Sequence, residues 1–270
     1  MILEASGLCF SYGRMPVLRD LSFRLETHRI TAVMGPNGSG KTTLLRCLNG
    51  ILSPDSGTVL LEGREVGGYS RRGLARRIAY VPQRSEPGRV TAFDAVLLGR
   101  RPHMSWRVTE RDIRLAEAAL RLLGLSDLAL RHTDEMSGGE HQKVCLARAI
   151  VQQPVLMLAD EPTASLDLHN QLEILRLLRR IVKGHRMSAL VTMHDLNTAF
   201  RYADRFLFLR EGGIHADVDR SGITPQVVEE VYGVPVELRW HQDHPVVLPL
   251  DDRSLDPPGH NHQNDGSQPP

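Results

Sequence analysis

The chain has 270 residues, with 33 Lys and Arg against 32 Asp and Glu, 12 His and a formal net charge of +1. That length suits one large domain or two small ones, and 41% apolar with 24% charged residues excludes a disordered chain. The charge balance argues against a dedicated nucleic-acid binder, which carries a basic surplus.

Met1 to Ser6 lacks a basic segment leading into an apolar run, so no secretory signal is expected. No apolar window is long enough to cross a bilayer. Cys9, Cys47 and Cys145 are scattered, odd in number and without metal-ligand spacing. They read as reduced thiols of a cytosolic protein.

In chain order, Ile30 to Met34 reads as a buried strand, followed by a Gly-rich turn and a helical run from Thr43 to Leu52. Arg77 to Val81 reads as a second strand, ended by Pro82. The stretch from about Thr91 to Val151 carries helix signals and no strand signal. Thr109 and Asp112 have capping-box spacing, and Ile113, Ala116, Leu120 and Leu123 then share a face. Val155 to Ala159 is a third strand and Ser188 to Met193 a fourth. Between them Leu168, Leu172, Leu175, Leu178 and Val182 fall on one helical face. This alternation predicts an α/β domain with a largely parallel sheet and a mainly helical insertion at about 91–151. After Leu250 polarity and proline content rise, and 251–270 reads as a disordered tail.

Gly35-Pro36-Asn37-Gly38-Ser39-Gly40-Lys41-Thr42 fits the phosphate-loop pattern G-x-x-x-x-G-K-[ST], placed between a strand and a helix as that motif requires. Glycines let backbone N–H groups converge on phosphate oxygens, and the helix N-terminus adds partial positive charge. Lys41 would meet the β- and γ-phosphates and Thr42 would offer its hydroxyl to Mg²⁺. Thr43, the next residue, belongs to the same nucleotide-binding run. The pattern implies a nucleoside triphosphate and Mg²⁺ without choosing between kinase, switch and motor.

The third strand runs into Asp160-Glu161-Pro162. A strand ending in two carboxylates places them at the carboxyl edge of the sheet, where open α/β folds bind ligands. Asp160 would reach the Mg²⁺ shell, and Glu161 would act on an attacking water as general base. Gln83 follows the second strand and could ligate Mg²⁺ or the water. His194 follows the fourth strand and could bond the γ-phosphate. Met136-Ser137-Gly138-Gly139-Glu140 opens another helical run, His141 to Val151. Ser137 and Glu140 form a capping box, and the glycines between them leave amides open as a second anion site.

Taken together these motifs resemble the ATP-binding subunits of ABC transporters, over Met1 to about Leu250. The matching pieces are the phosphate loop, Gln83, Ser137 to Glu140, Asp160-Glu161, the Ala164-Ser165-Leu166-Asp167 loop and His194. The resemblance implies an α/β fold: a P-loop NTPase core of the ABC ATPase type, with an inserted helical subdomain and an N-terminal antiparallel β region. It also implies ATP and Mg²⁺ as ligands. Tyr12 would stack on adenine. A head-to-tail homodimer would hold each ATP between the phosphate loop of one chain and Ser137 to Gly139 of the other, with Asp167 coupling the two sites. Met136 stands where the family usually has Leu, and the Glu140-His141-Gln142-Lys143 run is unusual, but neither removes a catalytic role.

Phe93 to His103, Leu166 to Glu173 and Glu230 to Val234 resemble importers of iron chelates, haem and cobalamin. Zinc, manganese and molybdate importers share parts of this pattern. The group implies an ATPase peripheral to the cytoplasmic face of the membrane, beneath two permease subunits. An extracytoplasmic binding protein would deliver the substrate, and no nucleic acid is involved. A soluble ABC ATPase acting on ribosomes usually has paired cassettes or long insertions, absent here. A small-molecule kinase leaves Ser137 to Glu140 and Glu161 unexplained. His241, His244, His260 and His262 read as solvated tail residues rather than a metal site.

Overall fold

The computed structural model describes residues 1–250, apart from Arg84, Ser165 and residues 185–186. The tail beyond Leu250, with His260 and His262, and Ser165 of the Ala164 to Asp167 loop lie outside the described residues.

The first half comprises β1 (Leu3–Tyr12), β2 (Met15–Leu25), β3 (Ile30–Met34), α1 (Lys41–Leu48), β4 (Ser56–Leu61), β5 (Arg64–Glu65), α2 (Arg71–Ala75), β6 (Ile78–Val81), α3 (Ala92–Leu98), α4 (Glu110–Leu122) and α5 (Gly138–Val151). The second half comprises β7 (Leu156–Ala159), α6 (Leu168–Gly184), β8 (Ser188–Thr192), α7 (Leu196–Tyr202), β9 (Arg205–Arg210), β10 (Gly213–Asp219), α8 (Pro225–Tyr232), β11 (Val236–His241) and β12 (His244–Pro249). A six-stranded sheet has the order β10-β9-β3-β8-β7-β6, and a four-stranded antiparallel sheet the order β2-β1-β4-β5. The pairs from β9 to β6 are parallel, and only β10 runs against its neighbour. The expectation of a largely parallel sheet and an N-terminal antiparallel region is therefore met.

Strand alternation sorts the core into two layers. Ile30, Ala32, Met34, Met157, Ala159, Phe206 and Phe208 face one apolar cluster, which the helices α3 to α8 complete. Val33, Leu156, Leu158, Leu190, Leu207 and Leu209 face the other, filled by α1 and the antiparallel sheet. Both faces are covered, so β3 and β8 are buried at every position, as a central parallel strand requires.

The helix after the phosphate loop begins two residues before the expected Thr43 and ends at Leu48 rather than Leu52. Gly40 at φ 99° turns the chain directly into it, and Gly50 at φ 65° ends it. The Ile51 and Leu52 amides then fold back onto the Arg46 carbonyl. Between β6 and β7 the described chain forms helices and no strand, apart from one bridge between Thr91 and His132. The expected apolar faces are shifted: Ile113 and Leu168 are exposed, while Ile174, Leu177 and Ile181 are buried beside Leu175, Leu178 and Val182.

The helical layer closes on a buried ion pair. Arg100 is 3% exposed; its Nε donates to Asp112 Oδ1 at 3.0 Å, and its guanidinium also reaches the Val151 carbonyl at 2.9 Å. Burial alone would raise the Asp112 carboxyl, but hydrogen bonds from Thr109 and Arg100 outweigh it and hold the group below its ordinary value. The pair therefore contributes fully at neutral pH and is lost as pH falls through that depressed range. Arg100→Met leaves Asp112 buried and unpaired, and should cost about 3–5 kcal/mol in urea unfolding. Arg100→Met combined with Asp112→Leu should recover most of it; equal loss in both proteins would refute the pairing.

Candidate functional site

The carboxyl edge of the parallel sheet gathers the predicted residues. β3 ends in the phosphate loop, β6 in Gln83, β7 in Asp160-Glu161 and β8 in His194. Parallel pairing of β6, β7 and β8 sets these ends side by side.

The loop is shaped by glycines. Gly35, Gly38 and Gly40 have φ of 144°, 81° and 99°, the left-handed half of the map that side chains disfavour. A Cβ on Gly35 would collide with the Leu209 carbonyl, and one on Gly40 with Leu18. Lys41 is 6% exposed and its Nζ donates to the Gly35 and Pro36 carbonyls at 2.8 and 3.0 Å. Burial pulls its pKa down, and the charges of Glu161 and Asp160 oppose that pull. Ser39 Oγ is buried without a hydrogen-bond partner among the described residues. A buried hydroxyl inside a ring of loop amides at a helix N-terminus fits a phosphate-bearing ligand. Pro36 and Asn37 form the exposed or turning rim of the loop, Thr42 is half-buried at the start of α1, and Thr43 is buried under it.

Asp160 is 1% exposed and accepts a hydrogen bond from Thr192 Oγ1 at 2.9 Å and a longer one, 3.4 Å, from the Tyr80 hydroxyl. The same Thr192 hydroxyl accepts the Glu161 amide at 2.7 Å. Glu161 has φ 46°, a conformation a glutamate adopts only when its surroundings hold it there. Its carboxylate is bracketed: Gln83 Nε2 donates to Oε2 at 2.5 Å, and His194 Nε2 lies 2.5 Å from Oε1. Gln83 thus meets Glu161 through its amide nitrogen, which leaves its carbonyl oxygen for another partner. The Thr42 hydroxyl, the Asp160 carboxylate and the Gln83 carbonyl are hard oxygen donors, a set that fits Mg²⁺.

Tyr12 is 47% exposed and stands edge-on to Phe10, with centroids 4.9 Å apart. It presents an open ring at the end of β1.

The capping box proposed for a second anion device is formed as the sequence indicates. Ser137 caps α5 by accepting the Glu140 amide at 3.3 Å, and the Glu140 carboxylate accepts the Ser137 amide at 2.8 Å. The Ser137 amide and hydroxyl, both donating to the Glu140 carboxylate, hold its pKa below its ordinary value. Ser137 and Gly138 are exposed, whereas Gly139 is buried against the Asn170 side chain. Asn170 in turn donates twice to Asp167, at 2.9 and 2.8 Å, and lowers its pKa. Among the described residues no hydrogen bond joins this device to the phosphate loop.

Two contacts carry no expectation from the sequence. The Tyr232 hydroxyl accepts the Gly35 amide at 2.9 Å, and Thr192 bridges Asp160 and Glu161. A threonine as the last residue of a buried strand, beside two carboxylates, was a legible signal for the second. His241 and His244, expected in a solvated tail, instead face each other across the β11–β12 hairpin, with His244 half-buried; among the described residues no group of three or more His, Cys, Asp or Glu side chains could hold a metal ion.

The protein-family model described as ABC transporter matches residues 18–164. An uncharacterised ABC transporter ATP-binding protein of Methanocaldococcus jannaschii is 44% identical over 93% of this chain and 98% of its own length. The hemin import ATP-binding protein of Pseudomonas entomophila is 38% identical over 92% of this chain and 99% of its own. Among solved structures, a chain from an ABC transporter described as of metal-chelate type, in an inward-facing conformation, superposes with a TM-score of 0.81. It is 30% identical, over 94% of this chain and 99% of that one. With its phosphate loop and paired strand-end carboxylates, the chain belongs to the ABC transporter family, as an ATP-binding and ATP-hydrolysing cassette.

Proposed function

We propose that this ATPase drives import of a metal chelate, of the iron-siderophore, haem or cobalamin type, through separate membrane permease subunits. The observation that carries the ATPase half is the Glu161 carboxylate, held between Gln83 and His194 at the same sheet edge as the phosphate loop. The import half rests on likeness to the hemin import protein and the metal-chelate transporter chain.

In this reading ATP lies along Gly35 to Thr43, with Lys41 on the outer phosphates and Tyr12 against adenine. Thr42, Asp160 and Gln83 would hold Mg²⁺, which would supply charge neutralisation on the phosphate oxygens. Glu161 takes the proton from the attacking water, and His194 positions that carboxylate and bonds the γ-phosphate. The Ser137 to Glu140 cap serves the nucleotide of a second copy in a head-to-tail homodimer, and Asp167 relays between the sites through Asn170. Residues 1–250 act as one ATP-binding domain, with the helical insertion at about 91–151.

A groove of 1210 Å³ between the insertion and the sheet domain is lined by Arg72, Leu98, Arg101, Trp106, Val108 and Gln152. Trp106 is 99% exposed, the kind of unpaired aromatic anchor that partner surfaces use. Its occupant in this reading is a cytoplasmic helix of the permease. None of the helices among the described residues is long and apolar enough to cross a membrane. The chain would work from the cytoplasmic face, with an extracytoplasmic binding protein delivering cargo to the permease and no nucleic acid involved.

Glu161→Gln should slow phosphate release by about 100-fold or more while ATP still binds, as loss of a general base does. Unchanged turnover would show that another group takes the proton. Thr192→Val keeps the volume and removes the bridging hydroxyl. It should lower stability by about 1–3 kcal/mol in urea unfolding, since the Glu161 amide and the Asp160 carboxylate each lose a buried partner.

Transport is tested by capturing tagged Glu161→Gln protein with ATP from gently solubilised native membranes. Polytopic permease subunits should co-purify, and hydrolysis by the same complex assembled with the wild-type chain should rise with a loaded chelate-binding protein. Recovery of soluble partners alone would end the transport reading and leave the ATPase chemistry standing.

A further inference from the structure

The phosphate loop is entered through Gly35, whose amide lies one residue beyond the end of β3. A backbone amide at such a buried strand end needs a partner. Here the partner is a side chain far along the sequence, the hydroxyl of Tyr232 at 2.9 Å. On its other side Gly35 is roofed by the Leu209 carbonyl, close enough to exclude any Cβ. The loop's first residue is therefore fixed by a steric ceiling, by the bond its amide donates to Tyr232 and by the one its carbonyl accepts from Lys41.

Tyr232 is itself firmly placed. It is the last residue of α8, where Thr224 caps the helix start and Gly233 at φ 72° ends it. Val228 and Val231 are buried, the Arg210 guanidinium grips the Glu230 carbonyl at 2.6 Å, and the Glu229 carboxylate accepts the Val236 amide at 2.9 Å. Burial raises the Tyr232 phenol to about 12, so the hydroxyl stays neutral throughout the working pH range. The hairpin that follows α8 is pinned on the far side of the site. The Asn197 side chain donates to the Val247 carbonyl at 3.2 Å and accepts its amide at 2.7 Å. Asn197 lies on α7, three residues after His194. One C-terminal unit thus touches both the entry to the phosphate loop and the helix that follows His194.

We propose that Tyr232 is a positioning residue for nucleotide binding: its hydroxyl sets the angle at which the phosphate loop leaves β3, with the C-terminal unit as its anchor. It touches no substrate. The inference rests on the reading that the loop holds ATP.

Tyr232→Phe removes the hydroxyl and keeps the ring packed. Fluorescent-nucleotide titration and steady-state hydrolysis of both proteins should show ATP binding weakened about 3–10-fold, as for one lost hydrogen bond. The kcat at saturating ATP should stay close to wild type, and the melting temperature should fall by no more than one unpartnered amide requires. Equal affinity in the two proteins overturns the inference, as does a fall in melting temperature with affinity intact, which would mark a packing role only. Absence of ATP binding by the wild type would instead sink the nucleotide reading itself. Hydrogen exchange on the wild-type protein needs no variant: the Gly35 amide, in the peptide covering residues 31–36, should exchange slowly, and rapid exchange there overturns the inference.

Discussion

The register between β7 and β8, closed at its carboxyl end by the Thr192 hydroxyl, is the contact on which the site depends. Leu156 to Ala159 pair in parallel with Ser188 to Val191. The next residues up are therefore Asp160 on one strand and Thr192 on the other, and a single hydroxyl then accepts from one residue of the carboxylate pair and donates to the other. A slip of one residue would turn Thr192 toward the opposite face and leave both without that partner. The apolar alternation that enforces the register also explains why so polar an arrangement can sit at the edge of a dry core. Below it the apolar side chains are sorted to one of two packed layers, and above it the chain turns out toward solvent.

That edge holds strained backbone as well as charge. Glu161 at φ 46° and Gly35 at φ 144° both leave their strands in conformations that ordinary residues avoid. Each is held by a hydrogen bond that its amide donates to a side-chain hydroxyl on another element: Thr192 for Glu161 and Tyr232 for Gly35. The cost of such conformations, of order 1–3 kcal/mol each for a non-glycine residue, is offset by structure outside the motifs. The motif residues supply the chemical groups, and the framework residues supply their aim.

This division explains what the sequence made legible. The phosphate loop, the Asp160-Glu161 pair and the Ser137–Glu140 cap are local patterns whose chemistry and secondary structure are set within a few residues, and each was readable in isolation. So were the strands that are buried throughout, β3, β7 and β8, because burial on both faces leaves a mainly apolar run. The strand β9, equally apolar at Phe206 to Leu209, lies between two charged residues and was not distinguished. The C-terminal hairpin was not distinguished, although β11 alternates Val236, Leu238 and Trp240 with Glu237, Arg239 and His241, the period of a half-buried strand. The ends of α1 were misplaced because glycine φ angles decide them. Long-range partners such as Tyr232, 197 positions from Gly35, leave no local trace at all.

The two anion-binding devices differ in how completely one chain builds them. At the phosphate loop the chain supplies the amides, a buried lysine, an unpaired buried hydroxyl and the carboxylates opposite. At Ser137 it supplies a capped helix start with exposed residues in front and no catalytic side chain bonded to it. A helix N-terminus facing solvent binds an anion weakly, because water competes for its amides. Such a device gains strength only where a second surface excludes water. The Gly139–Asn170–Asp167 contacts tie this helix start to the segment that leaves β7 just after Glu161. In the proposed dimer, a surface closing over Ser137 would meet a helix start already tied through Asn170 to Asp167, six residues beyond the proposed general base Glu161.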